Sequence, residues 1–190
     1  ADNVLSGWKF RIQLVESPFD NYTYDKSFTT NTNGIISISG LRIGKYKVSE
    51  VTTGVTDYIT PEAQTVEVTT GSTITAEMTN IPCGTISLTK VDSQNTSKKL
   101  SGAKFVVYKD TNSNGTYESS VDTEYKDLID NSDGTYSLDK VPYGKYLVKE
   151  VLAPTGYCID NHYYSIFIDG AGAIGQVNNS DDGLFHNEPV

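Results

Sequence analysis

The chain has 190 residues, of which 37% are hydrophobic and 11% aromatic, enough for one large or two smaller folded domains. Fifteen basic against 24 acidic side chains give a net charge of −9, which argues against nucleic-acid binding and against attraction to an anionic membrane. Two cysteines and two histidines are too few for a zinc cluster and leave little from which to build a Ser-His-Asp triad. No apolar run approaches the length of roughly 18 residues that is needed to span a membrane. No basic-then-apolar signal pattern opens the chain, and its first residues look like a cut within a longer protein, so we expect the chain to be a segment of one.

Alternating apolar and polar residues predict short strands along most of the chain, and no segment predicts a helix. The first strand runs from Trp8 to Leu14, with Trp8 facing the core. Later apolar pairs repeat the alternation, and they are Ile36/Ile38, Tyr46/Val48, Val66/Val68 and Ile166/Ile168. Turn formers such as Asn33-Gly34 and Asp133-Gly134 separate these strands. Short strands with frequent turns are typical of a β-sandwich.

A duplication organises the chain. Residues 33–50 return as 133–150 without a gap, the Leu-Ser-Gly of 5–7 returns at 100–102, and residues 78–82 match 185–189. The sequence therefore predicts two modules, 1–82 and 83–190. A strand at 84–92 precedes the Leu-Ser-Gly of the second module, whereas the first module begins with its own Leu-Ser-Gly almost at once. We expect the first module to lack its N-terminal strand, or to receive that strand from elsewhere.

Four segments of the second module resemble a known family in the same order. Residues 144–157, GKYLVKEVLAPTGY, closely resemble the E-box of Cna B-type domains, the prealbumin-like sandwiches of Gram-positive pilins and adhesin stalks. The strand at 84–92, the LSGAKF of 100–105 and the closing FHN of 185–187 are similar to the same family. The resemblance implies an all-β chain of two tandem immunoglobulin-like (Cna B-type) β-sandwich modules. It also implies an extracellular protein that is attached to the cell wall or built into a pilus.

The resemblance further implies an autocatalytic isopeptide bond inside the second module. Lys90 would attack the side-chain amide of Asn187, ammonia would leave, and Glu150 would assist. Burial would lower the pKa of the lysine and raise that of the glutamic acid, so that a neutral amine meets a protonated carboxyl. Strand alternation gives an independent check, because each of the three residues shares a face with apolar neighbours and should point inward.

The first module keeps counterparts of two of these residues. Glu50 and Asn80 are in the right phase, but the strand that carries the lysine is missing. Lys9 alternates out of phase with Phe10 and should face solvent. We expect no completed bond in this module, with Glu50 idle and Asn80 an unused acceptor.

Two further sets of residues are weaker candidates. Asp110, Asn112, Asn114 and Glu118 have the spacing of oxygen ligands in a calcium loop. The plainer alternative is an Asn-Gly turn between two strands, and no cofactor is otherwise expected.

The two cysteines, Cys83 and Cys158, could form a disulfide in an oxidising compartment. Otherwise both stay unlinked as small thiols that are buried or partly buried. The sequence does not decide between these two states, because it does not give their separation in the fold.

These features favour a structural role over catalysis on an external substrate. The leading hypothesis is a stalk or pilin-type unit whose partners are other modules of the same surface protein. The alternative is an adhesin module that binds host protein or glycan through a loop such as 110–128. No nucleic acid or membrane insertion is expected, and the only chemistry is directed at the chain itself.

Overall fold

The computed structural model describes residues 5–190, and every regular element in that range is a β-strand. The chain divides into two compact units, Ala1–Ile81 and Pro82–Val190. Within the described residues, no helix has the length and apolar character required to cross a membrane.

Unit 1 is built on one antiparallel sheet of four strands in the order β2-β1-β3-β5. The strands of this unit are β1 (Lys9–Glu16), β2 (Asp25–Thr29), β3 (Gly44–Glu50), β4 (Tyr58–Ile59) and β5 (Gln64–Val68). Phe10, Ile12 and Tyr46 are its buried hydrophobic residues, and Trp8 is partly buried against them. The core of unit 1 is therefore small, and most of its apolar side chains remain partly exposed.

Unit 2 has two facing sheets. Its strands are β6 (Ile81–Asp92, beginning on the last residue of unit 1), β7 (Asn95–Lys99), β8 (Lys104–Lys109), β9 (Thr123–Asp127), β10 (Ile129–Asp130), β11 (Thr135–Pro142), β12 (Gly144–Leu152), β13 (Tyr163–Ile168), β14 (Ile174–Gln176) and β15 (Phe185–Asn187). One sheet has the order β13-β12-β8-β9, and the other has the order β10-β11-β6-β14 with β7 and β15 also paired to β6. A single core of fifteen buried residues fills the space between them.

Strand β6 organises the second sheet of unit 2. It pairs antiparallel with β11 and parallel with two later strands, β14 beside residues 85–87 and β15 beside residues 90–92. The first and last strands of the unit are thus neighbours, although almost a hundred residues separate them. This pairing brings residues from both ends of the unit to the same part of the core.

The four-stranded sheet of unit 1 has the same order as the sheet β9-β8-β12-β13 of unit 2, as the duplication requires. Both units also repeat a tyrosine that closes a turn. The Tyr46 hydroxyl donates to the Arg42 carbonyl and the Tyr146 hydroxyl to the Pro142 carbonyl, each at 2.8 Å. Both rings are buried, which agrees with a framework role.

One predicted strand is wrong. Ile36 and Ile38 pack against the core of unit 1, but residues 35–43 form no strand. Their counterpart in unit 2 is β11, which pairs with β6. Among the described residues of unit 1 no strand takes the place of β6, and residues 72–80, the counterpart of the segment that ends in β15, are also without strand pairing. Alternation shows which side chains face the core, but a strand also needs a neighbour for its backbone hydrogen bonds.

Candidate isopeptide site

Three strands of unit 2 each deliver one polar side chain to the core. Lys90 lies near the end of β6, Glu150 on β12 and Asn187 on β15, and their exposed fractions are 0%, 0% and 3%. Tyr146, Val148 and Glu150 alternate along β12 with their side chains on the core face. Each position follows from strand alternation, and their meeting follows from the parallel pairing of β15 with β6. A buried lysine and carboxylate are costly unless they are paired.

The three side chains contact one another directly. Lys90 Nζ lies 2.7 Å from Glu150 Oε1 and donates to Asn187 Oδ1 at 2.5 Å. Asn187 Nδ2 lies 3.1 Å and 3.0 Å from the two carboxylate oxygens of Glu150. Glu150 therefore bridges the amine of the lysine and the amide nitrogen of the asparagine. This arrangement suits a proton transfer from one nitrogen to the other.

The environment of Lys90 favours its neutral form. Burial has the largest effect and lowers the pKa of the lysine, while Glu150 and the more distant Asp160 act in the opposite direction. The rings of Phe185 and Phe105 lie 4.5 Å and 5.2 Å from Nζ and exclude water from it. A neutral amine is the nucleophilic form of lysine.

A loop segment, residues 158–160, closes the site from the side, and no sequence pattern predicted this contact. The Cys158 carbonyl accepts a hydrogen bond from Asn187 Nδ2 at 2.7 Å. The Asp160 backbone N–H donates to Glu150 Oε2 at 2.8 Å. These contacts involve main-chain atoms, whose position depends on the folded loop and leaves no mark in residue type.

Asp160 is itself held by a network of side chains. Its carboxylate accepts hydrogen bonds from the Tyr164 hydroxyl at 2.6 Å and from Asn179 Nδ2 at 2.9 Å, and it contacts His162. Burial alone would raise the pKa of Asp160, but the hydrogen bonds from Asn179, Tyr164 and His162 together lower it to about 2. Asp160 is therefore a fixed negative charge at the border of the site.

Unit 1 contains half of the same arrangement. Asn80 Nδ2 donates to Glu50 Oε2 at 2.7 Å, and Glu50 is 9% exposed. The other oxygen of this carboxylate, Oε1, is buried and has no hydrogen-bond partner among the described residues. Lys9 is exposed. In unit 2, Oε1 of Glu150 lies 2.7 Å from Nζ of Lys90.

Comparison with known proteins assigns the fold. The model of the SpaA prealbumin-like fold domain matches the chain twice, over residues 1–82 and 84–182. The chain belongs to this family. The predicted family and the predicted pair of all-β modules are thereby confirmed. No curated protein matches the chain.

Several solved structures resemble this pair of prealbumin-like domains. The Bacillus anthracis TIE protein is 26% identical over 98% of this chain and 32% of its own, with a TM-score of 0.49. A streptococcal ancillary pilin is 22% identical over 98% of this chain and 58% of its own, with a TM-score of 0.39. The minor pilin GBS52 of Streptococcus agalactiae is 19% identical over 97% and 84%, with a TM-score of 0.41. The chain thus spans about a third of the first of these proteins and somewhat over half of the second.

In the loop considered as a calcium site, side-chain oxygens of the candidate residues accept hydrogen bonds from the loop itself. The two carboxylate oxygens of Asp110, which is buried, accept from the backbone N–H groups of Asn114 and Gly115. Glu118 Oε2 accepts from the side-chain amides of Asn112 and Asn114. No group of three or more His, Cys, Asp or Glu residues within residues 5–190 is arranged to hold a metal. The structure brings the four candidate residues together, but in the manner of a polar turn.

An aromatic contact anchors this loop on the prealbumin-like domain. The Tyr117 ring stacks on Tyr163 of β13 at 4.5 Å between centroids and meets Tyr108 of β8 edge-on at 5.0 Å. The loop is thus held against the sheet β13-β12-β8-β9 by its aromatic side chain as well as by its polar turn.

The two cysteines do not form a disulfide. Cys83 is buried at the start of β6, and Cys158 is exposed in the loop that follows β12. The two thiols are therefore unlinked, which is one of the two states that the sequence left open, and Cys158 is exposed where a buried or partly buried thiol was expected.

Proposed function

We propose that the chain is a pilin-type structural pair of modules from a Gram-positive surface protein, and that unit 2 is closed by an isopeptide bond between Lys90 and Asn187. The observation that carries the proposal is the mutual contact of Lys90, Glu150 and Asn187 in a water-excluded core. Membership of the prealbumin-like domain family supports the structural role. We also propose an extracellular location and, as partners, other modules of the parent protein.

The reaction consumes no external reagent. Glu150 accepts a proton from the Lys90 ammonium, and the neutral Nζ attacks Cγ of Asn187. The bond from Cγ to Nδ2 then breaks as Glu150 returns its proton to Nδ2, which leaves as ammonia. The second proton released by Nζ leaves with the ammonia as ammonium, so that one amide replaces another and Glu150 is regenerated.

The bond would have a mechanical consequence. It joins two residues that are 97 positions apart on the first and last strands of the unit. By analogy with a disulfide, closing a loop of this length removes unfolded-chain entropy worth about 4–5 kcal/mol. Tension that enters at the start of β6 and leaves after β15 would pass through the bond, bypassing the rest of the unit. These properties suit a load-bearing stalk.

Unit 1 is proposed to hold an incomplete copy of the site. Glu50 holds the amide of Asn80 through Oε2, and its Oε1 has no hydrogen-bond partner in the part of the chain that the structure describes, whereas Oε1 of Glu150 in unit 2 contacts the lysine amine. A lysine on a strand supplied from outside the described residues would complete it. Until such a strand is present, Glu50 and Asn80 stay unreacted.

The alternative of an adhesin that binds host protein or glycan stays a prediction. The loop 110–128 was its candidate surface. The carboxylates of that loop are largely hydrogen-bonded within it, since Asp110, Glu118 and Asp122 accept hydrogen bonds from the loop itself. The geometry therefore favours the structural role.

Intact mass spectrometry of the purified chain tests the proposal. One bond removes one ammonia, so the mass should fall about 17 Da below the sequence value. Asn187→Ala should restore the mass calculated for its own sequence, and the matched variant Asn80→Ala should keep the 17 Da deficit. A wild-type mass equal to the unmodified sequence would refute the bond. A deficit of two ammonias would refute the reading of unit 1.

A further inference from the structure

Asn179 makes a set of contacts that the reaction itself does not explain. It lies between β14 and β15, and its side chain binds both backbone groups of one residue. Asn179 Oδ1 accepts from the His186 N–H at 2.7 Å, and Asn179 Nδ2 donates to the His186 carbonyl at 2.9 Å. The carboxamide thereby imitates the backbone of a neighbouring strand. His186 directly precedes the acceptor Asn187 on the three-residue strand β15.

The same amide reaches across to the opposite wall of the site. Asn179 Nδ2 also donates to Asp160 Oδ2 at 2.9 Å. The Asp160 backbone N–H holds Glu150, and the Cys158 carbonyl, two residues earlier, holds the amide of Asn187. The Asn179 side chain therefore connects β15, which carries Asn187, with residues 158–160, which hold Glu150.

We infer that Asn179 is a positioning residue that, through Asp160 and His186, holds Glu150 and Asn187 in register for the attack of Lys90. The inference rests on the proposed isopeptide bond and adds a residue that does not touch the reacting atoms. Strand β15 has only three residues, and the hydrogen bonds from Asn179 to His186 limit its movement along β6. Small displacements of reacting groups cost large factors in rate, so loss of this restraint should slow the bond without preventing folding.

The chemistry of the contact limits which residues can serve. To bind both His186 and Asp160, the side chain at position 179 must accept one hydrogen bond and donate two. The short carboxamide of asparagine does both. An ionised aspartate keeps the acceptor but loses both donors, and it adds a negative charge beside Asp160. Asn179→Asp is therefore a nearly isosteric test, and Asn178→Asp is its matched control because Asn178 is adjacent and exposed.

The experiment follows ammonia loss during refolding. Each chain is prepared unfolded and unreacted from inclusion bodies, diluted into buffer at pH 7, and sampled by intact mass over time. We expect Asn179→Asp to react at least about tenfold more slowly than wild type, and Asn178→Asp to react at the wild-type rate. Circular dichroism on the same samples checks that both variants fold. If Asn179→Asp does not fold, Tyr164→Phe, which removes one hydrogen bond to Asp160, should still slow the reaction.

A pH series separates positioning from general loss of structure. A protonated aspartic acid can again donate, so the ratio of the Asn179→Asp rate to the wild-type rate should rise as the pH falls through the titration of the new carboxyl. The neighbouring Asp160, Tyr164, His162 and His186 are present in both chains, and their titration largely cancels in the ratio. Equal rates for wild type and Asn179→Asp at every pH would overturn the inference. Absence of ammonia loss in wild type would instead overturn the proposed function.

Discussion

Lys90 and Asn187 lie on adjacent parallel strands with Nζ 2.5 Å from Oδ1, although 97 residues separate them in the chain. Glu150 reaches the same point from the facing sheet, with Oε1 2.7 Å from the lysine amine. The contact thus joins the first strand of unit 2, its last strand and the opposite sheet.

Replacing Glu150 should prevent the bond and expose how much stability it provides. Glu150→Gln keeps the size of the side chain but cannot carry the proton, so we expect no ammonia loss. The melting temperature of unit 2 should fall by roughly 10 °C or more, given the loop entropy and the size of the unit. Calorimetry with parallel mass spectrometry measures both effects.

Glu50→Gln is the matched control, since Glu50 occupies the same position in unit 1 and should leave the mass deficit intact. Complete ammonia loss in Glu150→Gln would show that the carboxylate is dispensable.

The rate of bond formation should fall at high pH, because the reaction uses the proton that Lys90 passes through Glu150 to Asn187 Nδ2. Burial lowers the pKa of Lys90 from its ordinary value of 10.5, so this proton is lost to solvent below that pH. In refolding experiments followed by mass, the midpoint of the fall in rate should therefore lie below 10.5. A rate that is independent of pH would show that the ionisation of Lys90 does not control the reaction.

The same shift has a consequence for stability, measurable on Asn187→Ala, which cannot form the bond. With a lowered pKa in the folded state, the unfolded chain binds more protons between the two pKa values. The contribution of Lys90 to the free energy of unfolding should then rise with pH up to about 10.5. Buried tyrosines such as Tyr136 and Tyr146, whose pKa values are raised to about 12, act in the opposite direction, so the contribution is measured as the difference between Asn187→Ala and Lys90→Met/Asn187→Ala in urea titrations at several pH values. A difference that falls with pH would contradict the direction of the shift.

Unit 1 should be the less stable half and should accept a strand from a peptide. Its core cluster has three buried hydrophobic residues, against fifteen in the cluster of unit 2. A peptide copied from residues 84–92 should add to its sheet edge and raise the lower melting transition, because unpaired strand edges bind further strands. Reaction with Asn80 would add the mass of the peptide less one ammonia.

A peptide with methionine in place of the lysine is the control for this experiment. It should stabilise unit 1 without forming an adduct, and Asn80→Ala should also prevent the adduct. If neither peptide changes the lower transition, unit 1 has no open strand position.

Asp110 should matter for stability and not for calcium. Asp110→Ala removes the acceptor of two backbone N–H groups in a loop that packs on the sheet, and each such loss costs on the order of 1–3 kcal/mol. Thermal unfolding should show a lower melting temperature for unit 2, with a smaller effect from Asn112→Ala. Calcium or a chelator should not move the wild-type transition. A calcium-dependent rise that disappears in Asp110→Ala would establish a cation site instead.

Local patterns were sufficient to predict much of this protein. Alternation along residues 146–150 predicted that Glu150 faces the core, and the structure leaves it fully buried between the sheets. The repeat of residues 33–50 at 133–150 predicted two related modules, and both units repeat the tyrosine that closes its turn. Such features depend on residues close in the chain, whose geometry is set by the period of the strand.

Other features depended on the partners that the tertiary fold supplies. Ile36 and Ile38 show the same alternation of apolar and polar residues, yet no strand forms there. Among the described residues, unit 1 has no equivalent of β6 with which such a strand could share backbone hydrogen bonds. The sequence also did not decide whether Cys83 and Cys158 pair, because residue spacing does not give the separation of two side chains in the fold.

The sequence by itself determined the fold class, the duplication and the inward face of Lys90, Glu150 and Asn187. Only the tertiary structure decided that main-chain groups of Cys158 and Asp160 line the site and that Asn179 ties this segment to β15. Those contacts join segments that are distant in the chain through backbone atoms common to every residue. Their positions follow from the packing of the loops, which no local pattern of side chains specifies.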